Sequence, residues 1–388
     1  MSLILSTCET MLEGKRPFRV FLITPEFKAN GGREQLSALL INGLRIVTDD
    51  QLEVYQLSRP DKSISVIERI IGRIDGITSS VEKNLVRRLL NDSPDCVFVD
   101  GSNLGRLARV LKNANVKVPI VTFYHNVEAR FFFDALRASP SLRAIGVLIS
   151  NTIAERWATY YSDIRVMLND RDSQQLAKVH GRQGTDFLPM VVPDFYYIGA
   201  AKMERPLIEK YALFVGGSFY ANVEGLAWYA ENIALHSPIP TIVIGRGMEA
   251  HRVRLEQWGG LCVIGEVDDL APWYAHAQIV VAPILSGSGM KTKTAEAFMH
   301  GKPIVGTPEA FVGFRLGWTN QLTVCEEPAQ FLNALQNAAK IEAGYDHSLR
   351  VHYEKYHSEK ALRSRLTQLL QPILRSNEFH NTPLVKEI

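Results

Sequence analysis

Eight short apolar runs constrain this chain more than any other feature. FRVFLITP (18–25), DCVFVDG (95–101) and VPIVTFYHN (118–126) lie in the first half. After PMVVPDFYYIGAAKMERP (189–206) the pattern restarts with YALFVGGS (211–218), PTIVIGRG (240–247), LCVIGEV (261–267), QIVVAPIL (278–285) and PIVGT (303–307). Continuous rather than alternating apolar runs belong to strands buried on both faces. Helical segments between them, such as QLSALLINGL (35–44), supply the cover. The expected fold is α/β, two Rossmann-like doubly wound domains facing a central cleft, with ligands at the carboxyl ends of the strands. The Pro-bearing stretch reads as the linker, which places one domain at 1–195 and the other at 196–358. At 388 residues the chain also exceeds what a single core usually organises.

Composition removes several alternatives. A net charge of +2 spread over both halves does not suit a nucleic-acid binder. Cys8, Cys96, Cys262 and Cys325 are far apart, so neither a disulfide scaffold nor a thiolate metal site is expected, and a reducing compartment suits them. The apolar run at Leu3–Leu5 is too short for a signal-peptide core. No run approaches the roughly 20 residues of a membrane span. The expected location is cytoplasmic, with the inner membrane surface left open. Residues 62–90 carry apolar side chains at helical spacing, with Arg69, Arg73, Lys83, Arg87 and Arg88 interspersed. A basic face meeting anionic lipid is one reading. Glu68, Asp75 and Glu82 dilute it and favour plain surface helices.

Between the run QIVVAPIL and the helical segment TAEAFMHG lies the loop SGSGMK (286–291). A helix starting there offers free N–H groups and a positive dipole end, a natural phosphate site. Gly287 and Gly289 allow close approach to the backbone. Lys291 falls in the first turn, and Lys293 and Glu296 share one helical face. Two ammonium groups suit a diphosphate, and a carboxylate suits vicinal hydroxyls such as those of a ribose. Neither standard phosphate motif is present, because Met290 separates Gly289 from Lys291 and Thr292 occupies the last glycine position of a GxGxxG. A solvated helix face with a Lys293–Glu296 ion pair explains the same residues, and the loop alone does not choose.

The wider context resembles a known family. FVGGSFYANVEGLAWYAENI (214–233), IVIGRG (242–247), the stretch from Val263 to Thr307 and EAFVGF (309–314) together resemble the nucleotide-sugar domain of GT-B glycosyltransferases. The resemblance is to retaining enzymes of glycosyltransferase family 4 in particular. It implies that Lys291 and Lys293 bind the donor diphosphate and Glu296 the ribose. Gly216, Gly217 and Ser218 would line the diphosphate with Gly289, and the backbone at Gly265 would face the base. Asn222 is expected instead to cap the helix that follows. Two departures stand out. Ser288 occupies a position where many relatives carry a Glu that holds the donor sugar, and Gly217 stands where many carry Arg.

The first half is similar to the family's acceptor domain in two places. NGGRE (30–34) resembles its glycine loop, so Gly31 and Gly32 would approach the donor phosphates across the cleft. YHNVEARFF (124–132) resembles its His-Asn-x-Glu segment, which makes His125 a catalytic candidate. Glu128 would orient the acceptor or cap a local helix, and Asp100 at another strand end is a further acceptor-side candidate. A C-terminal helix at about 359–388 would cross back to the first domain. The implied activity is transfer from a nucleotide-diphosphate sugar, UDP- or GDP-linked, to a glycan or lipid-linked saccharide, with retention and with neither metal nor cofactor. A non-catalytic subunit that binds nucleotide or glycan, a GT-B sugar-nucleotide epimerase and a phosphorylase are the alternatives.

Overall fold

The structure, a computed structural model, describes residues 18–26, 32–58, 65–203 and 209–381. Six parallel strands form the first sheet: β1 (Val20–Pro25), β2 (Leu52–Leu57), β3 (Cys96–Asp100), β4 (Ile120–Tyr124), β5 (Ile164–Met167) and β6 (Asp186–Phe187). Six more form the second: β7 (Ala212–Val215), β8 (Thr241–Ile244), β9 (Leu261–Gly265), β10 (Ile279–Ala282), β11 (Ile304–Gly306) and β12 (Leu322–Val324). The spatial orders are β2-β1-β3-β4-β5-β6 and β12-β11-β10-β7-β8-β9. Each of the eight apolar runs becomes a strand, shorter than the run because residues at one or both of its ends lie outside the sheet. The strands β2, β5, β6 and β12 were not among the runs. Their half-buried or exposed positions do not need continuous apolar side chains.

The order of each sheet reverses once, between β1 and β3 in the first and between β7 and β10 in the second. At such a point adjacent connections depart to opposite faces and leave a crevice beyond the carboxyl ends. One apolar cluster joins the domains, running from Leu22, Phe98 and Leu168 through Met190 to Phe214, Val280 and Met290. The helix Glu359–Asn381 returns to the first domain and lies on the helix Gly32–Val47. The approach is close: a Cβ at Gly43 would sit 2.9 Å from Leu366.

From residue 65 onward the amphipathic stretch forms two helices, Val66–Ile70 and Ser79–Asn91, capped by the Ser65 and Thr78 side chains. Gly72 and Gly76, at φ +74° and +88°, break what the periodicity suggested as one stretch. Among the described residues no helix is long and apolar enough to cross a membrane.

Candidate active site

The second crevice is formed by the ends of β7 and β10. After β7 the backbone runs through Gly216–Ser218 into the helix Tyr220–Asn232. After β10 it runs through 283–291 into the helix Thr292–Met299. Neither helix has a side-chain N-cap or an acidic residue in its first turn, so both present free N–H groups and an uncompensated positive dipole end. Lys293 lies between them. Its ammonium sits 4.7 Å over the Phe214 ring, and a Cβ added at Gly216 would come 3.2 Å from Nζ. Gly245 packs directly beneath, where a Cβ would be 2.0 Å from the Gly216 carbonyl. Only glycine allows these two loops to stack.

Asn222 does not cap its helix; Phe219 holds the N-cap position. The Asn222 amide instead donates to the Gly217 carbonyl at 2.9 Å, and its oxygen accepts from Lys293 at 2.7 Å. A neutral partner leaves the ammonium charge unopposed, and burial pushes the Lys293 pKa down to about 7 against the pull of Glu296. The Lys293–Glu296 ion pair of the competing reading is not the bond either group makes. Glu296 accepts from the Tyr274 hydroxyl at 3.0 Å, and burial raises its pKa while Tyr274 and Lys293 oppose the rise.

Lys291 is the N-cap residue rather than a first-turn residue, and its ammonium is engaged. It donates to Glu309 at 2.9 Å and to the carbonyls of Gly289 and Ser288 at 3.0 and 3.3 Å. Glu309 also pairs with Arg171 of the first domain, Arg171 with Asp172, and Asp172 accepts from the Gly289 N–H. Burial lowers the Lys291 pKa, with Glu309 pulling the other way.

The first crevice faces the second. Gly32 opens the helix Gly32–Val47, and a Cβ there would lie 2.8 Å from Thr292. Gly31 lies outside the described residues. Asp100 ends β3 and is fully buried. It bonds His125 Nε2 at 2.6 Å and accepts from the Thr24 hydroxyl at 2.8 Å. Burial alone would raise the Asp100 pKa, but the His125 ring and the Arg33 guanidinium hold it below its usual range. His125 Nδ1 is buried without a partner among the described residues. The Ser288 and Gly289 loop of the second domain closes on this segment. Ser288 Oγ accepts from Val127 N–H at 3.2 Å, and a Cβ at Gly289 would be 2.9 Å from the His125 carbonyl. Phe131 and Phe219 stack across the domains at 5.6 Å.

A cavity of about 340 Å³ opens in the first domain, lined by Arg33, Arg69, Asp75, Asn103, Glu128 and Asn151 among others. Glu128 begins the helix Glu128–Ala138 but does not cap it. Glu155 does so instead, accepting from the N–H groups of Glu128 and Ala129, and is itself held by His180. The Glu128 carboxyl is buried at the cavity wall, and desolvation pushes its pKa up to about 7 against the influence of Arg33. Of the two open readings of Glu128, the capping role is excluded.

With two crevices facing each other, the chain can be compared with known proteins. Residues 209–340 match the family described as Glycosyl transferases group 1. That segment is similar to a group 1 glycosyl transferase domain. Across the whole chain the fold is GT-B. Anabaena Alr3699/HepE in complex with UDP and glucose superposes with a TM-score of 0.63 at 11% identity, over 92% of this chain and 100% of that one. Trehalose 6-phosphate synthase from Burkholderia multivorans gives 0.65 at 13% identity, over 96% and 100%. The lipopolysaccharide outer core galactosyltransferase WaaB gives 0.59 at 16%, over 93% and 100%. No curated protein sequence matches the chain.

Within the matched segment the structure gathers Gly216, Lys293 and the Thr292 end of the helix in one crevice, with Glu296 one turn further along. Gly217 and Ser218 lie on its rim, tied to the β8 loop through the Ser218 N–H and the Arg246 carbonyl. Gly265 is buried at the end of β9, its carbonyl bonded to Gly245 N–H. Arg33, Asn103 and the cavity were not read from the sequence. Arg33 directly follows the glycine loop, which is the one local signal that could have marked it.

Proposed function

We propose that the chain transfers a sugar from a UDP- or GDP-linked donor to a saccharide acceptor, with retention and without a metal. The observation that carries this reading is Lys293: a buried ammonium with only an amide partner, set beside Gly216 between two uncapped helix starts. Such a group is expensive to bury and is stabilised when an anion arrives.

Departure of the nucleotide builds negative charge on its diphosphate. The free N–H groups of both helices and the Lys293 ammonium lie where that charge develops, ready-oriented, and so lower the barrier. Lys291 joins them when the diphosphate replaces Glu309 as its partner. Glu296 would take the ribose hydroxyls, and the backbone at Gly265 the base. The acceptor would occupy the cavity, its hydroxyls meeting Glu128 and Asn103, with the His125–Asp100 pair at the junction with the donor. Attack from the face the nucleotide leaves, with the departing phosphate taking the acceptor proton, gives retention.

Titration calorimetry with UDP, GDP, ADP and TDP, in buffer with a chelator, tests the reading. One nucleotide should bind, and Lys293→Ala should weaken that binding strongly while its melting temperature holds. Ser288 supports a second reading, a non-catalytic nucleotide-binding subunit. It stands where the resemblance expects a sugar-holding carboxylate, and its hydroxyl is spent on Val127. Nucleotide binding without turnover on any saccharide would favour that alternative; binding of none would defeat both.

A further inference from the structure

Among the described residues five tyrosines are almost wholly buried, and four of them meet a neutral partner. Tyr124 and Tyr229 bond the hydroxyls of Thr159 and Thr241, and Tyr211 and Tyr353 donate to the carbonyls of Trp273 and Val192. Tyr274 is the exception. Its hydroxyl donates to a carboxylate, Glu296 Oε2, at 3.0 Å. A buried tyrosine needs some partner for its hydroxyl, and a neutral one serves. Packing alone does not require a carboxylate there, still less one on the helix that opens at the second crevice.

Lys293, Glu296 and His300 follow one another at three- and four-residue spacing, so they share one side of the helix Thr292–Met299 and its C-cap. Tyr274 spans the last two of them. Its ring stacks on the His300 ring at 4.3 Å and 9°, and its hydroxyl reaches one turn toward the crevice to Glu296. His300 is itself buried, with Tyr196 against its edge. Tyr274 belongs to the short helix Ala271–His276 that follows β9, and Asp269 accepts from the Ala271 N–H at the start of that helix. Burial and the neighbouring Glu296 keep the Tyr274 hydroxyl protonated, so it remains a donor. Glu296 makes no other side-chain hydrogen bond among the described residues, which leaves Oε1 to accept from a ligand.

We propose that Tyr274 is a positioning residue for nucleoside recognition: by holding Glu296 Oε2 it aims Oε1 at the ribose hydroxyls and makes the site select ribonucleotides over deoxyribonucleotides. The inference rests on the nucleotide-binding role proposed above for Glu296. A carboxylate already fixed through one oxygen loses little side-chain freedom when a ligand arrives, so more of each new hydrogen bond appears as affinity. The Tyr274 bond also favours the charged, accepting form of a carboxyl that burial pushes toward the neutral one, and Lys293 acts in the same direction. Because Tyr274 lies on the helix after β9, it joins Glu296 to the segment that begins at Gly265, where the base is proposed to lie. Base and ribose would then be read by parts held to one another.

The full chain is titrated calorimetrically with UDP and GDP and with the 2′,3′-dideoxy form of each. Wild type should bind one ribonucleotide on the order of ten- to a hundredfold more tightly than its dideoxy form, the usual worth of a hydrogen bond to a charged group. Tyr274→Phe keeps the ring and its stack on His300, and should cut that preference to about threefold while the melting temperature moves by only about a few degrees. Glu296→Ala should abolish the preference, and adding Tyr274→Phe to it should change nothing further, because the tyrosine acts through the carboxylate. Full ribose preference in a folded Tyr274→Phe overturns the inference and leaves the donor reading standing. So does a Tyr274→Phe loss of UDP or GDP affinity that persists when residue 296 is alanine. Equal binding of the ribose and dideoxy forms by wild type overturns the inference together with the role of Glu296, and binding of none of the four removes the donor reading itself.

Discussion

The two crevices are built by the same topological device and filled with opposite chemistry. At the second, the strand ends lead into glycines, two uncapped helix starts and Lys293, all of which attract negative charge. At the first, they lead to Asp100 paired with His125, and to Glu128 on a cavity wall. A doubly wound sheet supplies a crevice but not its polarity; the residues just past each strand decide that. One side is suited to receive a departing anion and the other to hold and orient hydroxyls.

The comparison breaks most severely at Lys293. Lys293→Ala should reduce turnover on the order of a hundred- to thousandfold, the usual cost of removing one pre-aligned donor from a developing charge. Lys291→Ala should approach it. Full turnover in the Lys291 variant would instead assign that residue solely to the tie between domains. At the other crevice, His125→Ala should lower turnover by on the order of a hundredfold while leaving UDP affinity unchanged. A parallel loss of UDP affinity would mean that the two crevices are not separable.

The smallest effect is a pH dependence. Lys293 has a lowered pKa of about 7 without nucleotide, and an adjacent diphosphate raises it. Binding therefore takes up a proton above that value. UDP affinity should fall as pH rises from 7 to 9, by at most about tenfold per unit, until the pKa of the complex is passed. Calorimetry in buffers of different ionisation enthalpy would detect the proton uptake. Lys293→Ala should lose the slope if it still binds measurably, and an equal slope in that variant would assign the proton elsewhere.

The second crevice was more legible than the first because its parts are local in sequence. Gly216 and Gly217 directly follow β7, and the lysines lie on one short stretch after β10, so a strand-end reading finds them. What that reading missed are contacts between stretches. Asn222 looked like a cap because Asn before an apolar helix usually is one. Its partner Lys293 is 71 residues away. Ser288 reads as a lost carboxylate, and only folding shows that its hydroxyl accepts from Val127 of the other domain. The cavity draws on Arg33, Asp75, Asn103, Glu128 and Asn151, which no spacing rule unites. Arginine and carboxylate positions of this kind acquire their meaning from the packing of helices, which hydrophobic periodicity locates only coarsely.

The chain of charges from Lys291 through Glu309 and Arg171 to Asp172 has one more consequence. It crosses the domain boundary, and its first member stands at the start of the helix Thr292–Met299. An anion that takes Lys291 from Glu309 removes a link between the domains, and by reciprocity a change in domain spacing alters the hold on that anion. Among the described residues Arg171 makes no contact inside the second crevice, yet its substitution should change how long a bound anion stays there.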